Sequence, residues 1–147
     1  MFNDNTAGGG DHAAALNILA RARPERLKAL AETVLDGMDA IKVVTNRTGL
    51  VMVPMRDTVE NVDFHLGEVL VSEAHITDAS GTIGYGMVTG RDLERAMAVA
   101  VVDLRLAGAG YDPAIAAFLT SEGAFLAAQD EQRMRQVEAT RVEMETF

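Results

Sequence analysis

Two histidines and two glutamates lie close together in the middle of the chain, at His65, Glu68, Glu73 and His75. Imidazole and carboxylate groups are common ligands of divalent metals, so this segment is a candidate metal site. A straight strand rises about 3.3 Å per residue and would hold the two histidines roughly 33 Å apart, unless the chain folds back at Gly67. A metal hydrolase is therefore the weakest of three functional hypotheses, and a solvated sheet surface is the favoured interpretation.

A second candidate is the glycine-rich segment 84–92, where a strand is expected to lead into a helix. The free N–H groups and the positive dipole at a helix N-terminus attract phosphate, and Arg91 adds a cation. The glycine spacing differs from that of a dinucleotide-binding fingerprint, and no Lys-Ser/Thr pair marks a P-loop. Anion binding at Gly90 and Arg91 stays open beside the alternative that the glycines only allow bending or close packing.

Asp103 interrupts the most apolar segment of the chain, residues 96–106. A buried carboxylate without a partner is costly, so either an arginine from elsewhere pairs with it or it marks the one wet edge of the helix. The wet edge is favoured.

Composition excludes several classes of function. The 147 residues contain no cysteine, which removes disulfides, thiolate zinc sites, iron–sulfur ligation and cysteine nucleophiles. The formal charge of −9 argues against a general nucleic-acid binder. No Gly-x-Ser-x-Gly nucleophile elbow occurs, and no catalytic residue is assigned. The sequence has neither a secretory signal nor an apolar run long enough to span a membrane, so we expect a cytoplasmic protein.

Periodicity predicts helices at both ends of the chain. A first helix is expected to be capped by Asp11 and a second to run from Pro24 to Gly37. A third is expected over residues 92–107, capped by Thr89 or Gly90 and ending at Gly108. Beyond it we expect a short helix over 113–119 and a longer one capped by Ser121.

Between the helices, the pattern changes to the period of two that is typical of strands. Residues 40–45 and 50–53 are predicted to form a hairpin around the turn 46–49, with Pro54 at its end or at an edge. Strands over 68–76 and 82–88 follow. The predicted fold class is α+β, an antiparallel sheet of about four strands with N-terminal and C-terminal helices packed against it. Residues 1–11 are expected to form a flexible tail, and residues 12–147 a single domain.

The last helices have unusual surfaces. The helix over 92–107 is apolar on nearly every side and should be covered on nearly every side. Residues 130–144 carry mixed charge with only a thin apolar stripe, so this helix either lies in solvent with ion pairs such as Glu131 with Arg135, or docks on another chain. Docking is favoured.

Three segments together resemble one protein family. They are FHLGEVLVSEA at residues 64–74, GTIGYGMVTGRD at residues 81–92 and ATRV at residues 139–142. Their order and spacing are similar to those of the PhnG subunit of the bacterial carbon–phosphorus lyase system. The likeness is colinear from about Leu16 to Phe147. Family pattern residues that match by position are Gly67, Glu68, Glu73, Gly84, Gly90, Arg91, Asp103 and Arg141.

The resemblance implies an accessory subunit of a hetero-oligomeric complex. In that family the G protein works with the H, I and L proteins to transfer the ribose 5-triphosphate unit of ATP to a phosphonate, with release of adenine. The G, H, I and J proteins form the core complex, and the iron–sulfur cluster and S-adenosylmethionine belong to J. No cofactor is expected on this chain, and its apolar helices would be docking surfaces. The rival hypothesis is a free-standing phosphate or phosphonate binder. Anion-binding or interface candidates are Glu68, Glu73, Tyr85, Gly90, Arg91, Asp103 and Arg141.

Overall fold

The computed structural model describes residues 7–110 and 112–142. Four helices and three strands follow one another as α1 (Ala7–Arg21), α2 (Pro24–Asp36), β1 (Lys42–Arg56), β2 (Asp63–Thr77), β3 (Ile83–Thr89), α3 (Leu93–Ala109) and α4 (Pro113–Ala139). The predicted α+β class is confirmed, with helices before and after an antiparallel sheet. The predicted count of four strands is wrong, because the described residues form three, in the order β1-β2-β3.

The predicted turn at residues 46–49 is a continuous part of β1. Asn46 pairs with Ala74 and Thr48 with Ser72, so the long strand β2 supplies partners on both sides of the turn-like sequence. Tertiary pairing overrides the local turn preference. The chain reverses instead at residues 57–62, where the Asp57 carboxylate accepts hydrogen bonds from backbone N–H groups. Pro54 lies in the edge strand, as the sequence predicts.

The two N-terminal helices differ in how well their ends could be predicted. α2 begins with Pro24, and Gly37 follows its last residue as the C-cap, as expected. α1 begins at Ala7, so the prediction that Asp11 caps this helix is wrong. The division into a tail of residues 1–11 and a domain of residues 12–147 stays a prediction, because residues 1–6, 111 and 143–147 lie outside the described ranges.

The ends of the C-terminal helices also depart from expectation. The side chain of Asp92 caps α3 by accepting from the Arg95 N–H at 2.9 Å, so Thr89 and Gly90 are not the cap. The helix continues through Gly108 to Ala109, and its C-cap is Gly110. α4 is a single helix capped by Asp112, with Ser121 inside it, so the predicted break between two helices is wrong.

α3 packs against β2 and β3 of the sheet and against α2. Close approach to β3 depends on two glycines. A Cβ atom on Gly84 would stand 2.3 Å from the Ala100 carbonyl oxygen, and one on Gly86 would stand 2.2 Å from that of Ala96. α3 is therefore covered by its own chain along most of its length, and the expectation that it is a docking surface is wrong.

In the described part of the chain, no helix combines the length and hydropathy that crossing a membrane requires.

Candidate functional site

Glu73, Tyr85 and Arg47 form a hydrogen-bonded cluster across all three strands. The register places Arg47 opposite Glu73, and Tyr85 opposite His75. The Glu73 carboxylate accepts from the Tyr85 hydroxyl and from Arg47 Nε, each at 2.6 Å. The His75 ring meets the Tyr85 ring edge-on, with 6.4 Å between centroids. The structure thus brings together two predicted candidates, Glu73 and Tyr85.

The electrostatics of this cluster keep both groups in their ordinary protonation states at neutral pH. The hydrogen bonds from Tyr85 and then Arg47 lower the pKa of Glu73. Burial, followed by the bond to the Glu73 carboxylate, raises the pKa of Tyr85 to about 12. A carboxylate and a phenol held this way are poor proton donors and acceptors near pH 7, because neither pKa is close to the working pH.

A second group surrounds Asp103, which is 5% exposed. One carboxylate oxygen accepts from the backbone N–H of Tyr85 at 2.9 Å, and the other lies 2.6 Å from His12 Nε2. Since β3 is an edge strand, some of its N–H groups lack a strand partner, and Asp103 accepts from one of them. Both interpretations offered by the sequence, an arginine partner and a wet edge, are wrong.

His12 and Asp103 have the orientation of a histidine–carboxylate pair that could serve as a base. His12 is about half exposed and borders a surface cavity of about 450 Å³. The cavity is lined mainly by apolar residues of α1, α3 and α4, among them Ala15, Leu106 and Ile115. The described lining offers no hydroxyl or amine for such a base to activate. The contact between His12 and Asp103 ties α1 to α3.

The Gly90 junction uses its polar groups internally. The Gly90 N–H donates to the Leu70 carbonyl oxygen, and its own carbonyl accepts from the Ser72 hydroxyl. Ser72 Oγ in turn accepts from the Asp92 N–H at 2.9 Å. The Asp92 carboxylate caps the helix, so an anion at this N-terminus would meet a negative charge. Arg91 is exposed beside it.

The remaining candidates are spread over the surface. His65 and Glu68 lie in the hairpin of β1 and β2, and His75 lies ten residues along β2 from His65. Within residues 7–110 and 112–142, no three histidine or acidic side chains come close enough to hold a metal ion. Arg141 follows α4 and pairs with Glu138 at 3.2 Å. Neither Glu68 nor Arg141 joins the clusters around Glu73 and Asp103.

Glu122 is a buried charge to which the sequence analysis gave no role. Its side chain is fully buried in α4 and accepts from the backbone N–H of Arg23 at 3.1 Å and from the guanidinium groups of Arg23 and Arg26. Arg23 also stacks over the Phe125 ring, 3.9 Å from its centroid. These hydrogen bonds, led by that from Arg23, lower the pKa of Glu122. The detectable signal was a lone acid within the apolar stretch 115–126.

Two comparisons with known proteins agree on the family that this chain resembles. The family model described as "Phosphonate metabolism protein PhnG" matches residues 11–147. A relative from Rhizobium meliloti (strain 1021), "Alpha-D-ribose 1-methylphosphonate 5-triphosphate synthase subunit PhnG", is 30% identical over 141 residues. That alignment covers 96% of this chain and 90% of the relative.

Proposed function

Since the chain belongs to the PhnG family of phosphonate metabolism proteins, we propose that it is a subunit of a ribose 1-methylphosphonate 5-triphosphate synthase. The synthase transfers the ribose 5-triphosphate unit of ATP to a phosphonate and releases adenine. We also propose that this reaction takes place in the cytoplasm. The observation that carries the proposal is the match to a synthase subunit over 96% of this chain.

Within that synthase, the chain acts as an accessory subunit. The carboxylates that could do chemistry are already engaged, since Glu73 is held by Tyr85 and Arg47, and Asp103 by the Tyr85 N–H and His12. The chain contains no cysteine, and the described residues that line the cavity beside His12 offer no hydroxyl or amine. These features support a role in assembly, with the reacting groups supplied by other subunits.

The proposed partners are the H, I and J proteins, with L as a functional partner. ATP is the substrate of the complex, and the iron–sulfur cluster and S-adenosylmethionine belong to the J protein. We assign no cofactor to this chain.

Co-purification tests the proposal. Tagged chain is isolated from its own cells after growth on methylphosphonate under phosphate starvation, and the bound proteins are identified by mass spectrometry. We expect H, I and J in fixed ratios, and their consistent absence would refute the assignment. Calorimetry on the isolated chain addresses the rival, because tight binding of ATP or methylphosphonate would indicate a free-standing binder. We expect no such binding.

A further inference from the structure

The hairpin of β1 and β2 extends beyond the rest of the sheet. β3 pairs with β2 only between Val71 and Thr77. From the pair Leu50 with Leu70 to the pair Arg56 with Asp63, the sheet therefore consists of two strands. We call residues 50–70 the hairpin arm. No residue of the arm is buried.

The hairpin arm exposes large apolar side chains along its length. Leu50 is 62% exposed, Leu66 is 65% exposed and Val59 is 87% exposed. The others are Val51, Met52, Met55, Val62, Phe64 and Leu70. Several face one another across the strands, as Met55 does Phe64. A two-stranded ribbon has marginal stability in water, and an apolar patch of this kind marks an interaction site.

The charge of the arm indicates what covers it. It carries four acids, Asp57, Glu60, Asp63 and Glu68, against one arginine. The arginine, Arg56, is already paired with Asp63 at 2.6 Å. Glu60 and Glu68 pair with no basic side chain among the described residues. The arm thus combines an exposed apolar surface with the uncompensated negative charge of Glu60 and Glu68.

This charge disfavours a second copy of the chain as the occupant. Two arms packed together would place the same acids against each other, and like charges across an interface are costly. The free edge of β1 is unsuitable too, because Pro54 lacks the N–H that strand pairing needs. Charge complementarity requires a different protein with basic side chains.

We propose that the hairpin arm inserts into an apolar groove of another subunit of the same synthase, where lysine or arginine side chains face Glu60 and Glu68. The inference rests on the proposed function, because it takes the partner from that complex. It assigns assembly to a segment in which the sequence predicted strands only at residues 50–53 and from Glu68 onward.

The test compares two pairs of variants, each in the full-length chain co-expressed with the other synthase subunits. The arm variant is L50S/L66S, and its matched control is L35S/L93S, which changes two exposed leucines on α2 and α3. The charge variant is E60K, and its control is E32K on α2. Thermal unfolding of each isolated variant verifies that it folds.

We expect L50S/L66S to weaken binding of the other subunits by about tenfold or more, since the variant loses the burial of two leucine side chains in the groove. E60K should weaken binding by about threefold to tenfold at low salt, with a smaller effect at high salt. The two controls should bind like the wild type. In hydrogen exchange, the amides of residues 50–70 should be more strongly protected in the complex than in the isolated chain.

Three results would contradict the inference. If L50S/L66S binds as tightly as the wild type, the arm is not the docking element, while the proposed function stands. If the wild type is a dimer and L50S/L66S a monomer, the occupant is a second copy. If the wild type binds none of the synthase subunits, the proposed function fails, and the inference fails with it.

Discussion

Asp103 joins three elements through a single carboxylate, because it lies in α3 and contacts Tyr85 of β3 and His12 of α1. We predict that Asp103→Ala lowers the free energy of unfolding by about 2 kcal/mol, since the partly buried Tyr85 N–H loses its acceptor. Asp103→Asn keeps an oxygen for that N–H and should lose less. Urea unfolding followed by circular dichroism measures these differences.

The control for Asp103 is His12→Ala. Because His12 is about half exposed, its removal should lower the free energy of unfolding by less than about 1 kcal/mol. A loss equal to that of Asp103→Ala would show that the histidine, rather than the strand N–H, gives the carboxylate its structural role.

Glu122 gives a prediction about how the stability of the folded protein depends on pH. The pKa of Glu122 is lower in the folded protein than its ordinary value of 4.5, so its contribution to stability is present above that value and is lost as the pH falls through the folded pKa. Glu122→Gln should unfold about 5 °C below the wild type at pH 7, and the gap should shrink at pH 3.5. Calorimetric scans at both pH values measure the gap, and a constant gap would contradict the prediction.

At the scale of residues, the sequence could identify candidates but could not assign their partners. Asp103 was recognisable as a polar residue in an apolar helix, yet its histidine partner is 91 positions away and follows no local pattern. Glu73 and Tyr85 meet because of strand register, which depends on the turn that joins the strands. Glu122 resembles a surface acid until α2 and its preceding loop are placed beside α4.

At the scale of elements, the contact between α3 and β3 depends on glycine. We predict that Gly84→Ala or Gly86→Ala lowers the free energy of unfolding by about 3 kcal/mol, because each new methyl group would overlap the helix backbone. Gly49→Ala in β1 is the control, since nothing lies within 4 Å of its added Cβ. Equal losses for Gly84→Ala and Gly49→Ala in chemical unfolding would refute the close-packing explanation.

Helices were more predictable than strands. The apolar period and the terminal Pro24 and Gly37 identify α2, because helix signals are local. The turn-like sequence 46–49 gave a false hairpin, because strand pairing is decided by residues about 26 positions away. α4 was divided at Ser121 for the same reason, since a local cap signal cannot reveal that helix packing continues through it.

At the scale of the whole molecule, the chain's exposed apolar surface was expected on its helices. The structure instead covers α3 with the sheet and α2, and exposes the hairpin arm. Met134 and Val137 on α4 are also exposed, in agreement with the thin stripe seen in the sequence. We therefore expect this chain to contact its partners through the hairpin arm instead of α3. Docking of the last helix stays a prediction.

The central claim is that the chain completes a synthase without supplying its reacting groups. Adenine release from ATP and methylphosphonate, measured chromatographically with the reconstituted subunits, tests it most directly. We predict no adenine from the chain alone, release from the full set, and loss of release when the chain is omitted. An undiminished rate without the chain, or adenine formed by the chain alone, would contradict the account.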